Sequence, residues 1–297
     1  MPSAIWSPDY ACDIGPHVFP VVKYRLVRDA LIADGTLDPA DVGPPPPPSR
    51  ADLERAHTAA YLDDLEQLRW SPRTLYSELP LTPEIVNAYV LACGGTVAAA
   101  REALEHGAAV HLGGGFHHAF ADKAEGFCYL NDLAVAARVL QAQAGVRRVA
   151  IVDLDVHQGN GTAGIFAGDD SVFTLSVHQE NNYPMPKPPS DLDVGLADRT
   201  GDDEYLAALR PALERVWSFG PELVLYQAGA DPYRDDQLGG LALGFEGLER
   251  RDREVLEGCA ERGIAAVVTL GGGYARQLLD TLRIHATTGR IALSLRR

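Results

Sequence analysis

VAIVDLDVHQGNG, residues 149–161, opens as an unbroken apolar run and closes on two acids, an imidazole and glycines. A run apolar on both faces, rich in β-branched residues, is the pattern of a strand buried inside a parallel sheet. In extended backbone alternate side chains share a face, so Asp153, Asp155 and His157 align. Burying two carboxylates at a strand end is costly unless a cation compensates them. A carboxylate and an imidazole two residues apart form half of a divalent metal site, and one further ligand leaves a position open for water and substrate. Asp231, in YQAGADP, is the best candidate for that ligand. Two aspartates and one histidine favour zinc or ferrous iron over a thiolate-rich structural site. For a lone Asp-x-His the alternative, hydrogen bonding to loop backbone, would prevail; with Asp231 it is the weaker reading.

Outward from this segment the chain keeps a regular rhythm. A helix over 83–106 leads into AAVHL (108–112), and a helix around 130–143 leads into the opening segment. SVFTLSV (171–177), a helix near 203–217, ELVLYQAG (222–229), a helix near 246–261 and AAVVTLGGG (265–273) follow. Apolar strands alternating with helices predict an α/β fold: one three-layer domain, residues 1–297, with a central parallel sheet flanked by helices. Nearer the start, residues 21–34 read as an amphipathic helix. The run GPPPPPS (43–49) is expected to be a stiff surface loop, because the residues before it are too few for a core of their own.

In such sheets ligands gather beyond the carboxyl ends of the strands. Gly113–His118, the Asp153/Asp155/His157 group, Asp231 and Gly271–Tyr274 all fall at such ends. In HLGGGFHHAF (111–120) the glycines permit a tight turn, but no Gly-Lys-Ser/Thr follows, which weakens a phosphate-loop reading. Two imidazoles, His117 and His118, beside a metal-activated water suit general base and general acid duty. Tyr274 in GGGY can donate to a developing oxyanion, and packing over the sheet end is its equal alternative.

Composition bounds the partners. The 297 residues are 46% hydrophobic and 23% charged, with 26 Lys and Arg against 41 Asp and Glu, for a formal charge of −15. That field repels nucleic acid and anionic membranes and favours cationic amines or lysine-rich peptides. Cys12, Cys93, Cys128 and Cys259 form no C-x-x-C pair, so they read as thiols in a reducing compartment. Met1–Pro16 lacks a signal-peptide pattern, and no apolar run reaches membrane-spanning length. A cytoplasmic protein is expected.

SPDY (7–10), the His-His loop, GFCYLND (126–132), DLDVHQGNG (153–161), SVH (176–178), GAD (229–231) and GGGY occur in the order typical of the histone deacetylase superfamily, which the chain resembles from about Trp6 to Arg276. Gln158, Asn160 and Tyr183–Pro184 resemble the class IV branch and short bacterial homologues; the His-His-Gly form of other classes is absent. The resemblance implies an arginase/deacetylase fold and a zinc-dependent amide hydrolase acting on an acylated lysine or related amine. It implies zinc at Asp155, His157 and Asp231, His118 as general base, His117 as electrostatic or acid partner oriented by Asp153, and Asn160 as a neutral partner of His118. Tyr274 would polarise the scissile carbonyl. Gly126 and Phe127 would form one wall of the acyl-lysine tunnel, Tyr183 and Leu238 the other. A structural potassium would lie at Asp153, Asp155, His157, Ser176 and Val177, and part of a second at Phe166, Asp169 and Val172. Lys23 would stand near an internal product pocket, and the loop from Leu68 to Leu81 at the rim. The competing readings are an acetylpolyamine or small-molecule amidohydrolase, a two-manganese ureohydrolase, for which too few acids are present, and a non-catalytic acyl-amine binding protein.

Overall fold

The structure, a computed structural model, describes residues 2–297. The opening segment forms β4 (Val149–Asp153), which lies between β5 (Val172–Gln179) and β7 (Leu223–Gln227). Beyond β7 come β8 (Ala265–Thr269) and β3 (Ala108–His111). The short strands β1 (Ala4–Ile5) and β2 (Val42–Gly43) finish that edge, and β6 (Leu192–Leu196) finishes the other. Every pairing in the order β2-β1-β3-β8-β7-β4-β5-β6 is parallel.

Every residue of β3, β4, β7 and β8 is buried, which is why their sequences show no polar alternation. Helices α1 (Lys23–Ala33), α2 (Arg50–Leu53), α3 (Ala59–Glu66), α4 (Pro83–His106), α5 (Asp132–Ala144), α6 (Asn160–Phe166), α7 (Asp202–Phe219), α8 (Phe245–Arg262) and α9 (Leu278–Ser294) complete the fold. α4 and α5 pack together on one face, while α1, α9, α8 and α7 pack in succession on the other. The result is the expected three-layer α/β arrangement. Thr82 caps α4 by accepting from the Ile85 amide, with Pro83 in the first turn. Among the described residues no helix is long and apolar enough to cross a membrane.

The five helices and five strands expected from the sequence lie within a few residues of their bounds, whereas α9, 17 residues long, is not among the expected elements. The proline run, mostly exposed with Pro45 buried, is a strap laid on α4. A Cβ at Gly94 would stand 1.9 Å from the Pro46 carbonyl, so only glycine admits the strap.

A buried histidine outside the predicted set holds the loops around the site. His57 donates from Nδ1 to the Phe120 carbonyl (3.0 Å), and its Nε2 accepts from the Asn131 amide (3.0 Å). Burial pushes its pKa down to about 4 from the usual 6.5, against a small opposing effect of backbone carbonyls. The folded state therefore holds this ring neutral while the unfolded chain protonates it. The stability it contributes is present above pH 6.5 and lost as pH falls toward 4, up to about 3 kcal/mol. Urea unfolding at pH 7 and pH 4.5 is expected to show a steeper acid loss for the native chain than for His57→Gln. Equal losses would remove His57 as the cause.

Candidate active site

His111, Thr269, Gln227, Asp153 and Ser176 stand side by side in register across β3, β8, β7, β4 and β5, a polar row at the carboxyl ends of the strands. The loops leaving this row meet in a cleft of about 230 Å³ lined by His117, His118, Asp155, His157, Phe127 and Tyr274, among others.

Asp155, His157 and Asp231 converge there, all buried, with one donor atom of each within 4.8 Å of the others. His157 Nδ1 lies 3.0 Å from Asp155 Oδ1 and 3.4 Å from Asp231 Oδ2. The remaining carboxylate oxygens are fixed by the protein. Asp155 Oδ2 accepts from Gln227 Nε2 (2.8 Å) and the Gly272 amide (2.9 Å), and Asp231 Oδ1 accepts from the Val156 amide (2.9 Å). Asp231 Oδ2 is buried with no hydrogen-bond partner. Burial, then the charge of Asp155, pushes the Asp231 carboxyl up to about 7. Burial disfavours the charged form of His157, but the two carboxylates outweigh it and push the ring up to about 10. An orphaned carboxylate oxygen facing a second carboxylate and an imidazole is a donor set that fits one divalent cation. Gly272 closes over it so tightly that a Cβ there would stand 2.0 Å from Asp231 Oδ2.

The two ligand strands are braced from behind by a residue the sequence reading missed. Arg251 of α8 is fully buried, and its Nη1 donates to the carbonyls of Leu154 (3.2 Å) and Gly229 (2.7 Å). Its Nε and Nη2 donate to Asp252 Oδ1. One rigid guanidinium thus sets the separation of the segments that carry Asp155 and Asp231.

His117 and His118 lie with ring centroids 4.0 Å apart on the loop after β3. His117 Nδ1 donates to Asp153 Oδ2 at 2.6 Å, whereas His118 Nδ1 meets Asn160 Oδ1 at 2.7 Å. Burial opposes charge on His117, yet Asp153 and Asp155 prevail and push it up to about 9. Burial, together with the charges of His117 and His157, holds His118 well below the usual range. One ring is therefore suited to donate a proton and the other to accept one. Asp132, also missed, holds the loop by accepting from the Gly115 and Phe116 amides.

Tyr274 sits at the cleft edge-on to Phe19 and Phe127, and its amide donates to Asp236 Oδ2 at 2.7 Å. Burial, then Asp155 and Asp231, hold its phenol well above the usual range, so it stays protonated and able to donate. Gly126, Phe127, Tyr183 and Leu238 line the cleft, together with Glu78 and Asn182 from loops that no periodicity marks. Tyr76 and Ser77 of the expected rim loop accept from the Gly126 and Phe127 amides through their carbonyls. Lys23 is buried, its Nζ donating to the Gly271 carbonyl at 2.6 Å. Ser176 pairs in register with Asp153 and bonds His178, with Val177 beside it. Phe166, Asp169 and Val172 lie at the opposite end of β5.

The Histone deacetylase domain family matches residues 17–289. The chain belongs to the histone deacetylase family. It is 43% identical over 291 residues to an uncharacterized protein of Picosynechococcus sp., covering 97% of each chain. It is 32% identical over 290 residues to histone deacetylase 2 of Arabidopsis thaliana, covering 93% of this chain and 75% of that one. The solved HD domain of HDA15 superposes with a TM-score of 0.83 at 26% identity, over 98% of this chain and 88% of that one. The fold is that of the arginase/deacetylase group, the chain is related to bacterial and class IV-like deacetylases, and the cleft has the architecture of a deacetylase-type amidohydrolase.

Proposed function

We propose that this histone deacetylase family member is a zinc-dependent deacylase that cleaves the amide of an acylated lysine side chain or a related acylated amine. The observation that carries the reading is the facing of Asp155 Oδ1, Asp231 Oδ2 and His157 Nδ1 beside His117, which is bonded to Asp153, and His118, which is bonded to Asn160. Those three donors would hold zinc, or ferrous iron in its place, which would supply Lewis-acid polarisation of the acyl carbonyl and lower the pKa of a water toward neutrality. His118, neutral and oriented by Asn160, accepts the proton of the attacking water. Tyr274 donates to the oxygen as negative charge develops on it. His117, kept charged by Asp153, stabilises that charge and supplies a proton to the departing amine. Phe127 and Gly126 opposite Tyr183 and Leu238 form a narrow apolar passage for a lysine stem and shield the reaction from bulk water. Potassium at the carboxyl end of β4 and β5, around Asp153 and Ser176, and at the Phe166–Val172 turn belongs to the same reading.

The test is hydrolysis of fluorogenic acetyl-, butyryl-, octanoyl- and myristoyl-lysine peptides and of acetylpolyamines by purified protein of known metal content. Turnover with one equivalent of zinc, abolished by chelation and restored by zinc, is expected. Two equivalents of manganese would point to a ureohydrolase, and zinc-loaded protein inert on every acylated amine would leave only a binding role.

A further inference from the structure

An asparagine amide can turn either its oxygen or its NH2 toward a neighbour, and the two choices give His118 opposite tautomers. With Asn160 Oδ1 facing Nδ1, the imidazole carries its proton on Nδ1 and leaves a lone pair on Nε2. With Nδ2 facing Nδ1, the lone pair is spent on Asn160 and Nε2 carries the proton, so the ring cannot accept another at that nitrogen. The far side of the amide discriminates between them. Asn160 Nδ2 lies 2.5 Å from Glu125 Oε1, and a carboxylate can only accept.

Glu125 is itself tightly held. Its Oε2 receives Lys123 Nζ at 2.6 Å, and its Oε1 also accepts from the Tyr183 hydroxyl at 3.0 Å. Its backbone amide donates to the Cys128 carbonyl, and the Cys128 amide donates back to the Glu125 carbonyl. Between them Gly126 and Phe127 adopt left-handed φ values of 51° and 62°, a costly turn for phenylalanine that this clamp maintains. The carboxylate therefore enters the amide's environment from a rigid position.

We propose that Glu125 is a positioning residue: by accepting from Asn160 Nδ2 it fixes the amide, and through the amide the proton-accepting tautomer of His118, while the same carboxylate holds Tyr183 in the facing wall. The consequence for turnover rests on the deacylase reading; the tautomer does not. In wild-type protein 15N NMR of His118 shows the Nδ1–H tautomer. Glu125→Ala is expected to mix the tautomers, lower kcat by about three- to tenfold, a fraction of a general base's contribution, and raise KM through Tyr183. Glu125→Gln, whose amide oxygen still accepts from Asn160, restores the single tautomer. Tyr183→Phe shifts KM without moving the tautomer signal. In the Asn160→Asp background a carboxylate accepts the Nδ1 proton in either rotation and now faces Glu125 as a like charge, so adding Glu125→Ala leaves kcat equal or higher. A pure Nδ1–H tautomer in Glu125→Ala, or the same kcat loss in both backgrounds, overturns the proposal. Wild-type protein without turnover would sink the deacylase reading while the NMR signal still decides the role of Glu125.

Discussion

Asp231→Asn protein is expected to fold, to lose its divalent metal and to be catalytically dead. The substitution keeps the volume and the Oδ1 acceptor for the Val156 amide, but it removes the ionised oxygen that faces Asp155 and His157 without any other partner. Loss of residues that only support a metal ligand weakens binding by 10- to 100-fold, so loss of a ligand should exceed about 100-fold. Stability should move in the opposite sense in the two forms. Metal-free Asp231→Asn loses a carboxylate that burial and Asp155 already disfavour, and it should unfold no more easily than the metal-free native chain. Native protein gains about 4 kcal/mol when free metal is 1,000 times its Kd, and a variant that binds more than about 100-fold more weakly gains less than about 1.4 kcal/mol at that concentration. Metal content by mass spectrometry and thermal unfolding with and without zinc check both halves. Retained metal and retained turnover in Asp231→Asn would dismantle the site.

Tyr274→Phe is expected to lower turnover by about two to three orders of magnitude, the range for removal of one oxyanion donor. Metal content and stability should hardly change. The ring is packed by Phe19 and Phe127, and the backbone is pinned by Asp236 and by Gln237 Nε2, which donates to the Tyr274 carbonyl. Phenylalanine keeps all of that and deletes only the hydroxyl. Because burial and the carboxylates keep the phenol protonated, its donor role should persist across the neutral range, so the loss should be nearly independent of pH. Unchanged turnover would take Tyr274 out of the chemistry.

The parts of the fold legible in the sequence are those with a long repeating environment. β3, β4, β7 and β8 are buried on both faces, and α4, α7 and α8 run eighteen residues or more, so their apolar patterns persist beyond local noise. β1 and β2 hold two residues each and carry no period at all, and β6 is half exposed at the sheet edge. The metal donors were legible for a related reason. Acids and a histidine directly after apolar runs are expensive, and a strand end is the place where a parallel sheet makes use of them.

The residues that orient those donors left no such mark. Arg251 looks like one charge among several on a polar helix, RRDRE, until its side chain is seen buried between Leu154 and Gly229. Glu125 lies in the segment KAEG (123–126), and neither it nor Asp132, Gln227 or Asp236 stands in a sequence pattern that marks its partners. The amino-acid order alone specified the α/β layering, the sheet edge that bears chemistry, and the types of group delivered to it. Tertiary structure alone decided which Asp231 oxygen is left without a partner, which side chain each of His117 and His118 meets, and which groups face Asn160. Those are properties of partners brought together from distant strands and turns, at hydrogen-bond distances that no local spacing encodes.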